Sequence, residues 1–505
     1  MRRIVALVLA SAAALPFGCA TIVGLEDHQL GPPPEAGTPA TLDAARDAND
    51  DPGRAASDAA NDHSSDAASD GNPCSACPAG YACIGGQCGD RVVEVAASDT
   101  HACAVLLNGE LWCWGKNQLG ELGVPASATQ GQCGSFACRP SPGRVPGISG
   151  ALHAALGSDV TCVLDGAGAV RCFGSNARGQ LGHDPTDDPT CPTQIPTDGA
   201  APGTQACSAT PTQVAISGDP PVAQIAAGGA VCARTGDKRV FCWGDDDFAE
   251  VGVLPIPAAG YVSTATAISG VDVSAGRVAF SATFGHGCGL GFFDRVTCWG
   301  SNLAGELGHA PGPDAGDDAC VLGVPCAPTA QAVPAIGGSY LAAGGKVSCV
   351  AKGDGSVWCW GANDAAQLGN GASVDSVSHP TPQAVVGLSN VVTIELRFQT
   401  GFAIDGAAHV FSWGFASDGA LGVPASTITC SPGDCLPTPV HVAALDGAVQ
   451  IASTAAGGVA LKSDGSVWAW GINDVGELGH VPGAGDQTCR DGPCSVTPGL
   501  VVGLP

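Results

Sequence analysis

The sequence predicts an all-β protein built as a seven-bladed β-propeller. Its 505 residues include 74 glycines and 37 prolines, whereas only 13% are charged, a composition that favours short strands joined by many turns. The second observation is a sevenfold repeat, marked each time by an aromatic residue followed by glycine. The markers are Trp114-Gly115, Phe173-Gly174, Trp243-Gly244, Trp299-Gly300, Trp360-Gly361, Trp413-Gly414 and Trp470-Gly471.

Successive markers lie 53 to 70 residues apart. Two apolar runs separated by a turn precede each marker, and a version of N-x-x-G-E/Q-L-G follows it, although the third and sixth copies are degenerate. A variable loop and a further strand-like segment complete the unit. A sheet of about four short strands cannot bury both of its faces alone, so seven units are expected to cover one another in a ring.

The ends of the repeat region suggest how the ring closes. Internal units read P-x-x-V-x-G-L followed by an apolar strand, and the C-terminal residues 495–505 supply the first half of this phrase, whereas residues 91–98 supply the second. We therefore expect one blade to combine strands from both chain ends, so that N- and C-terminal strands close a propeller spanning residues 91–505.

The repeats resemble those of the family named for the regulator of chromosome condensation. The stretches HACAVLLNGELWCWGKNQLGELG, residues 101–123, and VSCVAKGDGSVWCWGANDAAQLG, residues 347–369, carry the family pattern. The resemblance covers residues 91–505 and implies a seven-bladed β-propeller. It implies little about activity, because such propellers serve unrelated functions. The nucleotide exchange performed by the best-known eukaryotic member is not expected of an exported, acidic chain.

The N-terminus is predicted to direct export. Arg2 and Arg3 precede an apolar stretch too short to span a bilayer comfortably, and LPFGC at residues 15–19 resembles the lipobox of bacterial lipoproteins. Residues 1–18 are interpreted as a lipoprotein signal peptide and Cys19 as the lipid attachment site. A plain secretory signal is the alternative.

The segment that follows, residues 19–72, is rich in Ala, Asp, Ser and Pro. Such a composition cannot bury enough surface to fold, so this segment is predicted to be a disordered acidic tether. The expected location is therefore the bacterial cell envelope, where the only contact with the membrane is a lipid anchor. Ala20 favours the outer over the inner membrane, if the common sorting rule applies.

Ten cysteines stand one and eleven residues before the marker aromatic in five units. In the other two units both are absent together, because Phe402 with Ser412 and Val459 with Ala469 take their places. Residues kept or lost as pairs indicate covalent partners, and a hairpin sets such positions opposite each other near disulfide distance. The predicted strand disulfides are Cys103 with Cys113, Cys162 with Cys172, Cys232 with Cys242, Cys288 with Cys298, and Cys349 with Cys359.

Loops after the L-G motif hold a second group of cysteines, which also pair by position. The five predicted loop disulfides are Cys133 with Cys138, Cys191 with Cys207, Cys320 with Cys326, Cys430 with Cys435, and Cys489 with Cys494.

A small Cys-rich module at residues 73–90 holds Cys74, Cys77, Cys83 and Cys88, whose pairing the sequence leaves open. Zinc binding is the alternative to disulfide formation in this module, because Cys74 and Cys77 have C-x2-C spacing. An oxidising compartment favours disulfides. The twenty-fifth cysteine is Cys19, the predicted site of the lipid.

The sequence gives little support for metal binding or for catalysis. The loops with Asp187 and Asp188 and with Asp314, Asp317 and Asp318 raise the question of calcium, which takes several converging oxygens. Neither loop has the full alternating pattern of calcium-binding loops, and Asp beside Gly and Pro is also ordinary turn chemistry. We predict no bound metal and no cofactor, and leave calcium open.

Recurring polar residues are expected to be structural, because catalytic groups in a ring are asymmetric. This applies to His101 and His286 and to the Glu/Gln of the motif, which is Glu121, Gln180, Glu250, Glu306, Gln367 or Glu477. Residues 462–471 are weakly similar to the Asp-box repeat of sialidase-type propellers, but the central arginines and tyrosine of a sialidase are not evident. The chain is therefore not expected to be an enzyme, and no catalytic residue is assigned.

The function predicted from these features is protein recognition at the cell envelope by propeller-rim loops of varied length. The formal net charge of −27 excludes a basic nucleic-acid-binding surface. We expect a monomer that binds another protein or an envelope component. The alternatives are a structural envelope protein without a specific ligand and, less favoured, a carbohydrate-active propeller.

Overall fold

A computed structural model describes residues 81–505, apart from 85–86, 129–130, 195–202, 219, 254–255, 272, 274–276, 282–284, 292–294, 335, 425–427 and 431–432. The predicted signal peptide, the lipid attachment site Cys19 and the tether, together with Cys74 and Cys77, lie outside the described residues. Two strands, Tyr81–Ile84 and Gln87–Asp90, pair in antiparallel register with Cys83 opposite Cys88.

The chain is an all-β, seven-bladed propeller, and each blade is one antiparallel sheet. Blade 1 contains Val92–Ala97, His101–Leu106, Leu111–Lys116 and Phe136–Arg144, with the short edge strand Gly131–Cys133. Blade 2 contains Ala151–Leu156, Val160–Asp165, Val170–Ser175 and Thr204–Gln213, with Thr190–Pro192 at its edge. Blade 3 contains Val222–Ala227, Ala230–Thr235, Val240–Asp245 and Tyr261–Ala267.

Blade 4 contains Arg277–Ser281, His286–Leu290, Val296–Ser301 and Pro325–Ala332, with the edge strand Asp318–Ala319. Blade 5 contains Tyr340–Gly344, Val347–Ala351, Val357–Asn363 and Asp375–Ala384. Blade 6 contains Val391–Arg397, Thr400–Asp405, Val410–Phe415 and Asp434–His441, with Ile428–Thr429 at its edge. Blade 7 contains Ala448–Thr454, Gly457–Lys462, Val467–Ile472 and Pro493–Leu500, with Gln487–Thr488.

Helical structure in the described residues is confined to short 3-10 helices between strands. They are Ala126–Ala128, Pro185–Asp187, Pro313–Ala315, Val321–Gly323, Ser417–Gly419 and Ala443–Leu445. The absence of longer helices from this part of the chain agrees with its glycine- and proline-rich composition.

The largest hydrophobic clusters lie at the joints between neighbouring blades, one at each joint. The marker aromatic of the following blade lies in every one of them. At the joint of blades 4 and 5, for example, Trp360 packs with Leu307 and Val333 of the preceding blade. The first strand of each blade also contacts the first strands of both neighbours, so these strands form the inner wall of the ring.

The ring is closed by packing between the first and last blades. Val92 and Trp114 of blade 1 share a cluster with Leu461 of blade 7 and with Val501, which follows its last strand. The expectation that one blade combines strands from both chain ends is wrong, because every sheet is built from consecutive strands. The phrase P-x-x-V-x-G-L runs from the outer strand of one blade to the inner strand of the next, so the chain ends interrupt a joint between blades.

The backbone geometry at the end of the third strand requires the glycine of each marker. Gly361 has φ +117°, and a Cβ there would stand 2.1 Å from the carbonyl oxygen of Lys346, in the turn between the first two strands of blade 5. Any other residue would clash with that backbone atom and strain its own backbone. The same carbonyl accepts a hydrogen bond from Ala362 N at 2.9 Å.

Candidate protein-binding face

Hydrogen bonds between turns define two faces of the propeller. On one face, the hairpin turn between the second and third strands bonds the beginning of the next blade, as in Ala151 N to Gly109 O and Val391 N to Gly355 O, both at 3.0 Å. We call this the turn face. On the opposite side, the end of the third strand bonds the turn after the first strand, as in Phe415 N to Gln399 O. We call this the loop face, because the variable loops leave from the third strands there.

The polar side chains of the N-x-x-G-E/Q-L-G motif form hydrogen bonds to the backbone of the motif itself. The Asn side-chain oxygen accepts the backbone N–H of the Leu five residues later, as in Asn302 and Leu307 at 3.2 Å. The Glu or Gln side-chain oxygen accepts the N–H two residues earlier, as in Gln367 and Ala365 at 2.8 Å. The degenerate third copy keeps the first bond, because Asp246 accepts from Val251 N. The motif therefore folds the turn that covers the next blade.

The marker tryptophans fasten each blade to the preceding motif. Their Nε1–H groups donate to a backbone carbonyl of the preceding unit at 2.8 to 3.1 Å. The pairs are Trp114–Glu477, Trp243–Gln180, Trp299–Glu250, Trp360–Glu306, Trp413–Gln367 and Trp470–Ala420. Phe173 of blade 2 has no such donor, and the carbonyl of Glu121 instead accepts the Thr161 hydroxyl at 2.8 Å.

His101 and His286 also bridge blades. Because the Thr161 hydroxyl donates to a carbonyl, the His101 Nε2–H must donate to Thr161 Oγ1, at 2.8 Å. His286 makes the same bond to Ser348 Oγ, which donates to Glu306 O. Burial, together with the charges of Lys116 and Arg397, lowers the pKa of His101 to about 3, and burial lowers the pKa of His286 to about 3. Both histidines are thus neutral hydrogen-bonding groups at joints between blades.

The motif glutamates are buried in the ring, and burial raises their pKa values. The pKa of Glu306 is raised to about 7, and that of Glu477 lies well above its ordinary value because burial and the adjacent Asp474 both disfavour its charge. At the equivalent site of blade 5, Gln367 is neutral and donates from Nε2 to Asp364 at 2.6 Å. The site therefore suits a neutral side chain.

Glu477→Gln is expected to stabilise the protein at alkaline pH. Because the pKa of Glu477 is higher in the folded than in the unfolded state, the protonated side chain contributes to the free energy of unfolding at low pH. This contribution is fully present below the ordinary pKa of glutamate and is lost as the pH rises through the folded-state pKa. The substitution should add on the order of 1–2 kcal/mol to the free energy of unfolding at pH 8 and little near pH 4. Urea unfolding at both pH values measures this. Gln367→Glu is the matched reverse change and should destabilise most at pH 8; equal effects at both pH values would contradict the assignment.

The five strand cysteine pairs face each other in the second and third strands of blades 1 to 5, with Cα–Cα distances of 4.0 to 4.1 Å. The register also sets Phe402 opposite Ser412 and Val459 opposite Ala469 in the two blades without cysteines. In chain order, disulfides join Cys103 to Cys113, Cys162 to Cys172, Cys232 to Cys242, Cys288 to Cys298, and Cys349 to Cys359.

The five loop pairs lie between the outer strand of a blade and the loop that leads to it. Their Cα atoms stand 5.8 to 5.9 Å apart. Disulfides join Cys133 to Cys138, Cys191 to Cys207, Cys320 to Cys326, Cys430 to Cys435, and Cys489 to Cys494. Each loop pair therefore closes a variable loop on its own blade.

A non-reducing peptide map of the protein is expected to recover these ten disulfides. Replacing one strand pair with the residues of blade 7, in the double variant Cys349→Val with Cys359→Ala, should lower the free energy of unfolding by about 2–3 kcal/mol because the cross-link restricts the unfolded chain. Free thiols in the strands, or disulfides that join different blades, would overturn the prediction.

Three variable loops are braced by the same polar network, which unites a motif Asn with a His and an Asp of the loop. In blade 4, Asn302 Nδ2 donates to Asp317 Oδ2 at 2.8 Å, and His309 Nε2 donates to Asp317 Oδ1 at 2.8 Å. The hydrogen bonds of His309 and Gly312 help to lower the pKa of Asp317 against its burial. The L-G-H copies of the motif are the sequence signal for this network. Blades 2 and 7 repeat it with Asn176, His183 and Asp188 and with Asn473, His480 and Asp486.

The loop aspartates considered for calcium fall into two groups. Asp188 and Asp317 are engaged in the networks above, whereas Asp187, Asp314 and Asp318 are exposed to solvent. No three His, Cys, Asp or Glu side chains converge as a metal site requires in the part of the chain that the structure describes.

Exposed charges are unequally divided between the two faces. Among the described residues, the loop face exposes one arginine, Arg490, against eight aspartates. These are Asp184, Asp187, Asp314, Asp318, Asp375, Asp434, Asp474 and Asp491. The turn face exposes three aspartates, Asp237, Asp354 and Asp464, against five cations, Arg91, Arg144, Lys238, Arg239 and Arg295. The loop face is therefore strongly acidic.

One buried ion pair was not apparent from the sequence. Arg397, at the end of the first strand of blade 6, donates from Nε to Asp99 Oδ1 at 2.9 Å, although Asp99 belongs to blade 1 and blade 7 lies between them. Burial raises the pKa of Asp99 to about 6 against the opposing effect of Arg397. Close by, Lys116 of blade 1 pairs with Asp159 of blade 2 at 2.6 Å. These pairs join blades across the loop-face end of the inner wall.

In several blades, the side chain at the same position of the first strand contacts the first strand of the next blade. In blades 4 and 5, Arg277 lies over the ring of Tyr340 at 4.0 Å. Each contact crosses from one blade to its neighbour, so this polar ring stabilises the inner wall. The other contacts are Glu94 accepting from Ala154 N at 2.9 Å, Gln450 accepting from Val95 N at 2.9 Å, and Gln224 accepting from Val278 N at 3.2 Å.

Comparison with known protein families identifies the repeats. Sequence profiles of the Regulator of chromosome condensation (RCC1) repeat match residues 92–121, 108–164, 167–233 and 354–396. Among curated relatives, the human E3 ubiquitin-protein ligase HERC2 is 26% identical over 379 residues, which are 74% of this chain but 7% of HERC2. The ultraviolet-B receptor UVR8 of Arabidopsis thaliana is 25% identical over 401 residues, or 77% of this chain and 79% of UVR8.

Solved structures agree on the fold. Prp20p from Saccharomyces cerevisiae, whose structure was described with its binding to Gsp1p and histones, superposes with a TM-score of 0.61 at 19% identity, over 79% of this chain and 87% of Prp20p. Human WBSCR16 superposes with a TM-score of 0.60 at 18% identity, over 78% and 95% of the two chains. Among the described residues, no helix is long and apolar enough to cross a membrane.

Proposed function

We propose that this chain, a seven-bladed propeller of RCC1 repeats, is an exported, lipid-anchored protein that recognises another protein through its loop face. The repeated residues are engaged in holding the blades together, as the tryptophan and motif contacts illustrate. The loops after the motif differ from blade to blade, so the contacts that all blades share do not account for their sequences.

The observation that carries the proposal is the bracing of these variable loops. Disulfides close the loops of blades 1, 2, 4, 6 and 7, and the Asn–Asp–His networks fix three of them at their base. Loops that are ordered before binding lose little conformational entropy on binding, which favours affinity for a protein partner. The exposed aspartates make a basic contact surface on that partner the expected match.

The relatives support a binding role for this fold. Prp20p is described as binding Gsp1p and histones, and UVR8 is a receptor. The partners of those proteins are not carried over, and neither is ligase activity, because this chain corresponds to a small fraction of HERC2.

Anchoring is proposed from the N-terminal sequence. Cys19 follows a basic and apolar leader, and residues 20–72 supply a tether rich in Ala, Asp, Ser and Pro. Ten disulfides in the propeller fit an oxidising compartment outside the cytoplasm. The outer membrane of a bacterial envelope is the proposed site.

The binding role can be tested by affinity capture from detergent-solubilised envelopes. The tagged protein should retain one protein in stoichiometric amount. The double variant Asp187→Asn with Asp314→Asn should reduce that recovery several-fold and weaken its salt dependence, because both residues are exposed on the loop face. The control variant, Asp354→Asn with Asp464→Asn, removes the same charge from hairpins of the turn face, where asparagine keeps the turn.

This control variant should capture as much partner as the wild type. Equal losses with both variants would place recognition elsewhere than on the loop face. If no stoichiometric partner is found, a structural envelope protein without a specific ligand becomes the better explanation.

A further inference from the structure

We infer that the turn face lies against an anionic lipid surface, so that the loop face points away from the membrane. The anchor itself rests on the proposed function, but the orientation rests on the structure of the propeller. Four features of the turn face lead to it: the position of the chain ends, a group of exposed apolar side chains, a set of half-buried tryptophans and the distribution of charge.

Both ends of the propeller lie on the turn face. Arg91, just before the first strand, accepts a hydrogen bond at its carbonyl from Leu107 N of the first hairpin turn, at 2.8 Å. At the other end, Val501 N donates to Val467 O at the start of the third strand of blade 7. The segment that joins Cys19 to the propeller therefore enters at this face, which an anchored protein would hold nearest to the membrane.

The turn face carries exposed apolar side chains, as the loop face also does. Leu107 is 57% exposed, Leu152 52%, Val392 51%, Val449 46% and Val502 61%. Leu152, Val392 and Val449 are each the second residue of a first strand, where the strand begins at the turn face. The five residues belong to blades 6, 7, 1 and 2, which are neighbours across the closure of the ring. An acyl boundary would remove this apolar surface from water.

The tryptophans that pack at the edges of three joints, and are not fully buried in them, also lie near the turn face. Trp112, Trp358 and Trp468 are half-buried, and each is the second residue of a third strand, next to a hairpin of the turn face. Their Nε1–H groups bond hairpin side chains, as in Trp358 to Ser356 Oγ at 3.2 Å. Tryptophan with a polar edge and neighbouring lysine is typical of residues at a membrane–water interface. The lysines over two of these rings, at 4.0 and 4.5 Å, are Lys352 and Lys462.

Charge favours one orientation over the other. Each Lys or Arg near an anionic membrane contributes about 1 kcal/mol, and carboxylates are repelled. The turn face exposes five cations against three aspartates, whereas the loop face exposes one cation against eight aspartates among the described residues. Two of the five cations, Arg144 and Arg239, are paired with Glu110 and Asp237, so an anionic surface repels the loop face far more strongly than the turn face.

Vesicle flotation of the chain without its predicted signal peptide, residues 19–505 with Cys19→Ser, tests the orientation without a lipid anchor. Vesicles of phosphatidylethanolamine and phosphatidylglycerol should bind this chain at low salt, more strongly than phosphatidylcholine vesicles. The triple variant Leu107→Ser, Leu152→Ser and Val449→Ser should reduce the bound fraction about tenfold, from the loss of three exposed apolar side chains. The matched control, which removes three exposed valines from the loop face and should bind like the parent chain, is Val321→Ser, Val377→Ser and Val481→Ser.

Circular dichroism must first show that both triple variants are folded. Failure of the parent chain to bind anionic vesicles, or equal loss with both variants, would overturn the orientation. Acylation of Cys19 is measured separately, as the mass of the N-terminal peptide of the exported wild-type protein. A lipid on Cys19 without vesicle binding by the turn face would leave the proposed anchor standing, and an unmodified N-terminus with intact vesicle binding would overturn the anchor alone.

Discussion

Trp360→Ala is expected to lower the free energy of unfolding by about 3–5 kcal/mol. The side chain is fully buried in the cluster between blades 4 and 5, where it packs with residues of both blades. Its Nε1–H donates to the carbonyl of Glu306 at 2.8 Å. Alanine would leave a cavity at the joint and remove that hydrogen bond, and both effects destabilise the folded ring.

Two further substitutions separate these contributions. Trp360→Phe retains most of the apolar volume and loses the donor, as Phe173 does naturally in blade 2, and should cost about 1–2 kcal/mol. Trp358→Ala removes the half-buried tryptophan two residues earlier, which does not lie in the centre of a joint, and should cost about 1 kcal/mol. Urea unfolding followed by circular dichroism gives all three values. Because Trp358 packs at the edge of the same cluster, a loss for Trp360→Ala no larger than that for Trp358→Ala would mean that burial in the centre of the joint contributes no extra stability.

Arg397→Met should lower the free energy of unfolding by a similar amount, about 3–5 kcal/mol at pH 8, because it leaves the buried carboxylate of Asp99 without its cation. The loss should be smaller at pH 5. Burial already raises the pKa of Asp99 to about 6, and removal of the guanidinium would raise it further. The uncompensated charge is then relieved as the pH falls below the pKa, whereas stability is lost as the pH rises through it.

The double variant Asp99→Asn with Arg397→Met is the control for this prediction. It removes both charges together, so most of the lost stability should return and the difference between pH 5 and pH 8 should shrink. His101, Lys116 and Asp159 lie near the pair and are unchanged in all variants. A double variant as unstable as Arg397→Met at pH 8 would show that the arginine acts through packing and not through charge.

Features that recur in the sequence were predictable, because each copy can be compared with the others. The number of blades, the hairpin around each cysteine pair and the structural use of the motif glutamates all follow from comparing seven units. The residues that replace a cysteine pair, such as Phe402 with Ser412, were informative for the same reason, since they occupy the register of the cysteines. The structural interpretation of His101 and His286 also came from their recurrence.

Features that occur only once could not be predicted by comparing the units. Asp99 and Arg397 are separated by 298 residues, and neither stands in a pattern that indicates a partner. The closing of the ring was misjudged because the phrase P-x-x-V-x-G-L appears continuous in sequence while the sheet boundary falls within it. The division of charge between the faces likewise depends on strand direction, which brings distant loops to one side of the ring.

The construction of every blade from consecutive strands bears on how such a chain can be rearranged. Since the termini interrupt a joint and leave all seven sheets whole, the position of the chain ends around the ring is arbitrary in structural terms. A circular permutation that linked Pro505 to Arg91 and opened the chain between blades 5 and 6 would preserve every sheet. Duplication or deletion of one unit would likewise add or remove one complete sheet and leave the others whole.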